Sequence, residues 1–154
     1  METSEPSVSS LETHLGYWLR QVSNAASGQF ARSLEARQTS VAEWVVLRRL
    51  YDNSLATPGY LAEAVHLTRG AVSKVLDKLE AKGWVRSTID PKDNRFQFLS
   101  LTAAGRRAMP LLAEAADRND EHFFACLDSA ERHSLRQLLQ KLAIQHRLSA
   151  VAAE

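Results

Sequence analysis

The stretch from Thr57 to Gly105, TPGYLAEAVHLTRGAVSKVLDKLEAKGWVRSTIDPKDNRFQFLSLTAAG, decides the fold. Thr57-Pro58 reads as an N-cap followed by proline at the first helical position, where its missing N–H has no helical partner to lose. A short helix over 58–65 then buries Leu61, Ala62 and Val65. His66-Leu67 interrupts the chain, and Thr68 offers a second N-cap hydroxyl. Val72, Val75, Leu76 and Leu79 recur at three and four positions, the apolar stripe of a helix over 69–82. Gly83 stands where a left-handed residue ends such a helix. Two strands follow, 84–89 and 95–101, around the polar run Asp90-Pro91-Lys92-Asp93-Asn94-Arg95. Phe96 and Phe98 alternate with Gln97 as in a half-buried strand, so the pair reads as a β-hairpin.

Working outward, Leu11, Leu15, Trp18, Leu19, Val22, Ala26, Phe30 and Leu34 predict one long amphipathic helix over 9–37, despite Gly16 and Gly28. That stripe outruns what one small core needs, so it points to a helix of a second chain. Ser40 and Glu43 have capping-box spacing, and Asp52-Asn53-Ser54 closes the helix they open. Thr102 starts another helix to about residue 127, with Pro110 expected to kink or locally interrupt it. Asp128 and Glu131 form a second capping box before a helix carrying Leu135, Leu138, Leu139, Leu142 and Leu148. Residues 1–8 are expected to be a disordered tail, and 149–154 to fray. The expected fold is mainly α with a small β-hairpin wing. A winged helix-turn-helix lobe over 38–102 joins terminal helices over 9–37 and 103–148 in one domain, 9–150.

A chain of 154 residues, 45% of them hydrophobic, matches one domain of about 150 residues and can bury a core without disulfide or metal. No apolar run reaches the ~18 residues of a membrane span. The start of the chain lacks the basic and apolar regions of a signal peptide, and one cysteine makes no internal disulfide; both fit a cytoplasmic location. The net charge of +1 hides a split: residues 59–107 hold nine basic and five acidic residues, the remainder ten and thirteen. A basic middle between acidic ends suggests a face for a polyanion.

The order helix, short helix, tight turn, helix, hairpin gives that face a shape. The major groove of B-DNA admits one α-helix, whose N-terminal side chains read base edges. With its stripe turned inward, the 69–82 helix presents Arg69, Gly70, Ser73, Lys74, Asp77 and Lys78, with Thr68 at its start. Gly70 and Ala71 are small enough for the backbone to approach a duplex closely. Lys74, Lys78 and Lys82 also suit a merely solvated face. The neighbouring loop favours the DNA reading, because Lys92 and Arg95 give a second anchor suited to the minor groove. Asp93, two residues before Arg95, is placed to hold that guanidinium by a charge-assisted hydrogen bond or simply to close the turn.

At this point the chain resembles the MarR family of transcription regulators over about 11–148. The resemblance rests on Leu61-Ala-Glu-Ala-Val65, Thr68 to Glu80, Ala81-Lys-Gly-Trp-Val-Arg86, Asp93-Asn94-Arg95 and Leu99-Ser-Leu-Thr-Ala-Ala-Gly105. It implies a homodimer with interlocked terminal helices, a palindromic double-stranded DNA site, and in many members release by a small anionic or aromatic effector. On that reading Thr68, Arg69, Ser73, Lys74, Lys78, Lys92, Asp93 and Arg95 form the DNA-binding set. Asn94 departs from the basic residue many members carry there, which leaves Arg95 or Lys92 to reach the minor groove.

His14, Tyr17, Trp18, Trp44 and Arg48 are candidates for an effector pocket of mixed aromatic and cationic character. Trp18 and Trp44 equally suit plain core positions. Cys126 is expected to be a buried inert thiol. No two of the five histidines lie three to five residues apart, so no local metal pair is expected, nor any cofactor. No nucleophile elbow, phosphate loop or His-Glu-x-x-His motif points to an enzyme. The function expected is a homodimeric DNA-binding repressor relieved by a small molecule. Its competitors are an effector-independent or redox-responsive regulator, and a dimeric interaction module that no longer binds DNA.

Overall fold

A computed structural model describes residues 7–148. Most of the expected tail and all of the expected fraying end lie outside them. The elements are α1 (Leu15–Glu35), α2 (Val41–Asp52), α3 (Pro58–Ala64), α4 (Arg69–Ala81), β1 (Val85–Asp90), β2 (Asp93–Leu101), α5 (Ala103–Phe123) and α6 (Ser129–Gln145). They give a mainly helical winged helix-turn-helix with a two-stranded antiparallel hairpin.

The caps form as their residue types dictate. Ser40 Oγ accepts from the Glu43 N–H at 3.1 Å while Glu43 Oε2 accepts from the Ser40 N–H at 2.7 Å. Thr57 and Thr68 cap α3 and α4 through the N–H groups of Tyr60 and Ala71. Asp128 and Glu131 reciprocate across the start of α6. Gly83 ends α4 at φ +70°, a conformation glycine adopts without a Cβ penalty.

One buried cluster holds the lobe together. Val46, Leu47 and Leu50 of α2 meet Leu61 of α3, Val72, Leu76 and Leu79 of α4, Val85 of β1, Leu99 and Leu101 of β2, and Met109, Leu112 and Ala115 of α5. Each of the larger side chains contributes about 1.5–3 kcal/mol relative to exposure in water. From the long α1 stripe only Leu34 joins that buried set, with Phe30 packed against it; Leu15 stays 80% exposed.

Several expectations need correction. The first helix is not continuous over 9–37: Leu11–Thr13 is a short 3₁₀ turn, and His14 is extended before α1 begins. The Thr13 hydroxyl donates to the Ser10 carbonyl and the Trp18 indole N–H to that of Glu12, local bonds that compete with helical pairing. Pro110 does not interrupt α5, which runs unbroken from Ala103 to Phe123. Both Pro110 and Arg106, whose carbonyl loses its helical donor, are exposed, so water can satisfy that oxygen. The hairpin loop is shorter than 90–95, because Asp90 pairs with Asp93 and leaves Pro91-Lys92 as the tip. Asp90 Oδ1 accepts the Lys92 N–H at 2.8 Å, and the register shifts just before the tip. Burial in β2 does not simply alternate either. Leu99, Ser100 and Leu101 are buried in succession, since the Ala56 bridge and α5 cover the base of the hairpin.

α6 is unlike the other long helices: it buries none of its residues, and Leu138, Leu139, Leu142 and Ile144 are all exposed. Leu148 lies beyond its end. Cys126 is exposed rather than buried, because α5 stops at Phe123 and the cysteine falls in the turn before α6.

Candidate nucleic-acid interface

α4 divides into two faces. Val72, Leu76 and Leu79 are buried beneath it, whereas Thr68, Arg69, Gly70, Ser73, Lys74, Asp77 and Lys78 are exposed. The N-terminal half of the exposed face carries the donors, and the free N–H groups and dipole of the first turn favour an anion there. Arg69 lies close to α3: its Nη2 would be 3.8 Å from a Cβ built on Gly59. Among the described residues nothing lies within 4 Å of a Cβ added at Gly70, so packing against them does not require its small size.

At the hairpin, Asp93 holds Arg95 from two sides. Arg95 Nε donates to Asp93 Oδ1 at 2.9 Å and Nη2 to Oδ2 at 2.7 Å, a bidentate fork, while the Arg95 backbone N–H donates to Oδ1 at 3.1 Å. The Arg95 side-chain and then backbone bonds hold the Asp93 carboxyl below its ordinary value, and the side-chain bond to Asp93 raises the Arg95 guanidinium. Arg95 stays 86% exposed at the side chain, so its free edge faces outward. Lys92 is exposed at the tip.

The base of the hairpin is welded to α5. The Thr102 hydroxyl accepts the Gly105 N–H at 3.0 Å and donates to the Gly83 carbonyl at 2.6 Å, and the Thr102 N–H donates to the Trp84 carbonyl at 2.9 Å. Gly105 allows the approach: a Cβ there would lie 2.1 Å from the Trp84 oxygen. The Leu-Thr-x-x-Gly string thus fixes where hairpin and α4 sit relative to α5.

Of the five effector candidates, Tyr17 and Trp18 share α1 and Trp44 and Arg48 share α2, while His14 stands before α1. Trp44 packs edge-on to Phe30 at 6.2 Å and belongs to the margin of the core. Arg48 pairs with Asp52 and lies over the Tyr51 ring, whose other cationic neighbour is Arg106. Tyr17 and Trp18 meet edge to face at 5.4 Å, and His14 Nε2 lies 3.2 Å from the Ser9 hydroxyl. A cavity of about 240 Å³ lies elsewhere, between the end of α5 and α6, lined by Phe124, Leu127, Arg132, Leu135 and Leu139 among others.

Lys82 does not belong to a solvated face. Its ammonium donates to Glu43 Oε1 at 2.9 Å and to the Gln38 carbonyl, and lies 5.1 Å from the Trp84 ring centre. Sequence reasoning separated these residues because the partners are 39 and 44 positions away. The one available signal was that Glu43 serves a capping box with a single oxygen.

A model of the MarR family matches residues 39–96, the segment from the start of α2 into the hairpin. The chain is 32% identical over 134 residues to a putative transcriptional regulatory protein for the hcr operon of Thauera aromatica, covering 86% of this chain and 81% of that one. Among solved structures it is similar to Bordetella bronchiseptica BpsR, described for regulation of its DNA binding by 6-hydroxynicotinic acid. The TM-score is 0.81 at 23% identity, covering 89% of this chain and 98% of that chain. A MarR mutant from E. coli complexed with operator DNA superposes with a TM-score of 0.76 at 24% identity, over 83% and 92% of the two chains.

Proposed function

The chain belongs to the MarR family of transcriptional regulators, and from that premise we propose that it is a homodimeric repressor that binds a palindromic duplex and is released by a small anionic or aromatic effector. One observation carries the DNA-binding part. The exposed face of α4 concentrates Thr68, Arg69, Ser73, Lys74 and Lys78 beside a hairpin whose Arg95 is held outward by Asp93. In this reading Arg69 and Ser73 meet base edges in the major groove and Lys74 and Lys78 meet phosphates. Arg95, with Lys92, enters the minor groove.

The dimer reading is supported by the apolar surface that the single chain leaves open. α6 buries nothing, and Leu15, Leu19, Leu138, Leu139 and Leu142 are exposed on the terminal helices. Exposed apolar stripes on helices that the single chain leaves uncovered suit a protein interface. A two-fold dimer would set two α4 helices about one DNA turn, roughly 34 Å, apart. The effector reading is supported by the aromatic and cationic character of His14, Tyr17, Trp18, Trp44 and Arg48, and by the effector named for BpsR.

Selection of bound duplexes from a random library, followed by binding at two salt concentrations, tests the core of the proposal. Enrichment of an inverted repeat with a steep salt slope is the expected result. Absence of salt-dependent duplex binding would overturn it. Thermal unfolding against a panel of aromatic carboxylates tests the effector, since a ligand of the folded form raises apparent stability.

A further inference from the structure

The Lys82 contacts join two parts of the molecule that the proposed function must keep in register. α4 ends at Ala81, and Lys82 is its C-cap. The residues it grips, Gln38 and Glu43, form the corner where α1 turns into α2. That corner is itself fixed. Gln38 sits at φ +52°, and the N–H groups of Gln38 and Thr39 donate to the carbonyls of Glu35 and Leu34. The two Glu43 oxygens are divided, Oε2 holding the start of α2 and Oε1 holding Lys82. The Glu43 side chain is 5% exposed and that of Lys82 27%, so the pair is screened far less than a surface pair. The other ion pairs described, Arg48–Asp52, Arg95–Asp93 and Arg118–Glu114, join residues two or four positions apart and bridge no elements.

Apolar packing beneath α4 holds the helix in place but, being non-directional, specifies its angle less sharply than directed bonds do and leaves it some freedom. Bonds from one ammonium to two fixed oxygens remove that freedom at the C-terminal end. α4 has 13 residues and is about 20 Å long, so a tilt of about 5° at its anchored end moves the reading end by about 1.7 Å. We propose that Lys82 is a positioning residue that sets the angle of α4 against the α1–α2 corner, and thereby the half-site spacing the dimer accepts. This rests on the proposed DNA-binding dimer.

The test uses the full-length chain, the duplex that the wild type enriches from a random library, and versions with one base pair added to or removed from its centre. K82M/E43Q removes both charges and leaves no buried carboxylate unpaired. E43Q alone keeps an acceptor for the Ser40 N–H and serves if the double variant does not fold. The expected result is an affinity lower by about tenfold on the enriched duplex, a smaller penalty for the altered spacings, and an unchanged salt slope. Unchanged affinity and spacing penalty would overturn the proposal and reduce Lys82 to a stabilising contact. A shallower salt slope would overturn it too, by making Lys82 a direct phosphate contact. A wild type that binds no duplex takes down the DNA-binding reading and this proposal together.

Discussion

Replacing Gly105 by alanine tests how the hairpin is joined to α5. The new Cβ would lie 2.1 Å from the Trp84 carbonyl oxygen, 3.0 Å from its carbon and 3.2 Å from its Cα. These are backbone atoms, so no side chain can rotate away. Ordinary contact begins at 3.4 Å, and relief requires a shift of more than an ångström. The same oxygen accepts the Thr102 N–H at 2.9 Å, and a shift of that size breaks this bond. Overpacking of this kind costs about 1–3 kcal/mol and a lost backbone hydrogen bond about 0.5–1.5. The better helix propensity of alanine returns up to about 1 kcal/mol. The net expectation is a loss of about 2 kcal/mol, or about 4–8 °C in Tm for a chain of this length. Thermal unfolding at fixed protomer concentration reads it, because Tm of a dimer depends on concentration. Gly70→Ala is the control: with nothing among the described residues within 4 Å of its Cβ, it is expected to gain about 0.5–1 kcal/mol. The reasoning is refuted if Gly105→Ala melts at or above the wild-type temperature.

The remaining predictions concern the interface and the ion pair. Arg69→Ala is expected to cost about 1–3 kcal/mol per half-site and relax preference at one base position, whereas Lys74→Ala weakens all duplexes alike; competition binding with point-substituted duplexes separates them. Asp93→Ala is expected to weaken binding despite removing a negative charge, because Arg95 loses its bidentate support; tighter binding in a titration would show that repulsion from phosphate dominates. Burial pushes the Glu43 carboxyl up, but hydrogen bonds from Lys82 and the Ser40 N–H and the Lys82 charge outweigh it and hold it below 4.5. Its stabilisation is therefore complete above 4.5 and is lost as pH falls through the lower folded-state value; urea midpoints of wild type and E43Q are expected to converge there, and a constant gap would contradict this. Leu138→Glu places a charge on exposed α6 and is expected to shift sedimentation toward monomer at micromolar concentration, with unchanged helicity; an unshifted profile would place the dimer interface elsewhere.

Local chemistry was legible in the chain itself. The five capped starts at Ser40, Thr57, Thr68, Thr102 and Asp128, the left-handed Gly83, and the Asp93–Arg95 fork all join residues five or fewer positions apart. Such contacts depend on backbone geometry that spacing alone specifies. The stripe of α4 was equally readable, because one buried face leaves a 3.6-residue period. Tertiary structure decided the rest. Lys82 looks like one more cation on a helix face until folding brings Gln38 and Glu43 beside it. Gly105 looks like a weak helix residue until the Trp84 carbonyl is placed against it. Periodicity showed that the α1 stripe outruns one small core, and in the single chain Leu15, Trp18, Leu19 and Val22 are exposed while Phe30 and Leu34 pack on the core. An apolar period records that a face avoids water, and only the packed fold shows whether the chain itself or another molecule must cover it.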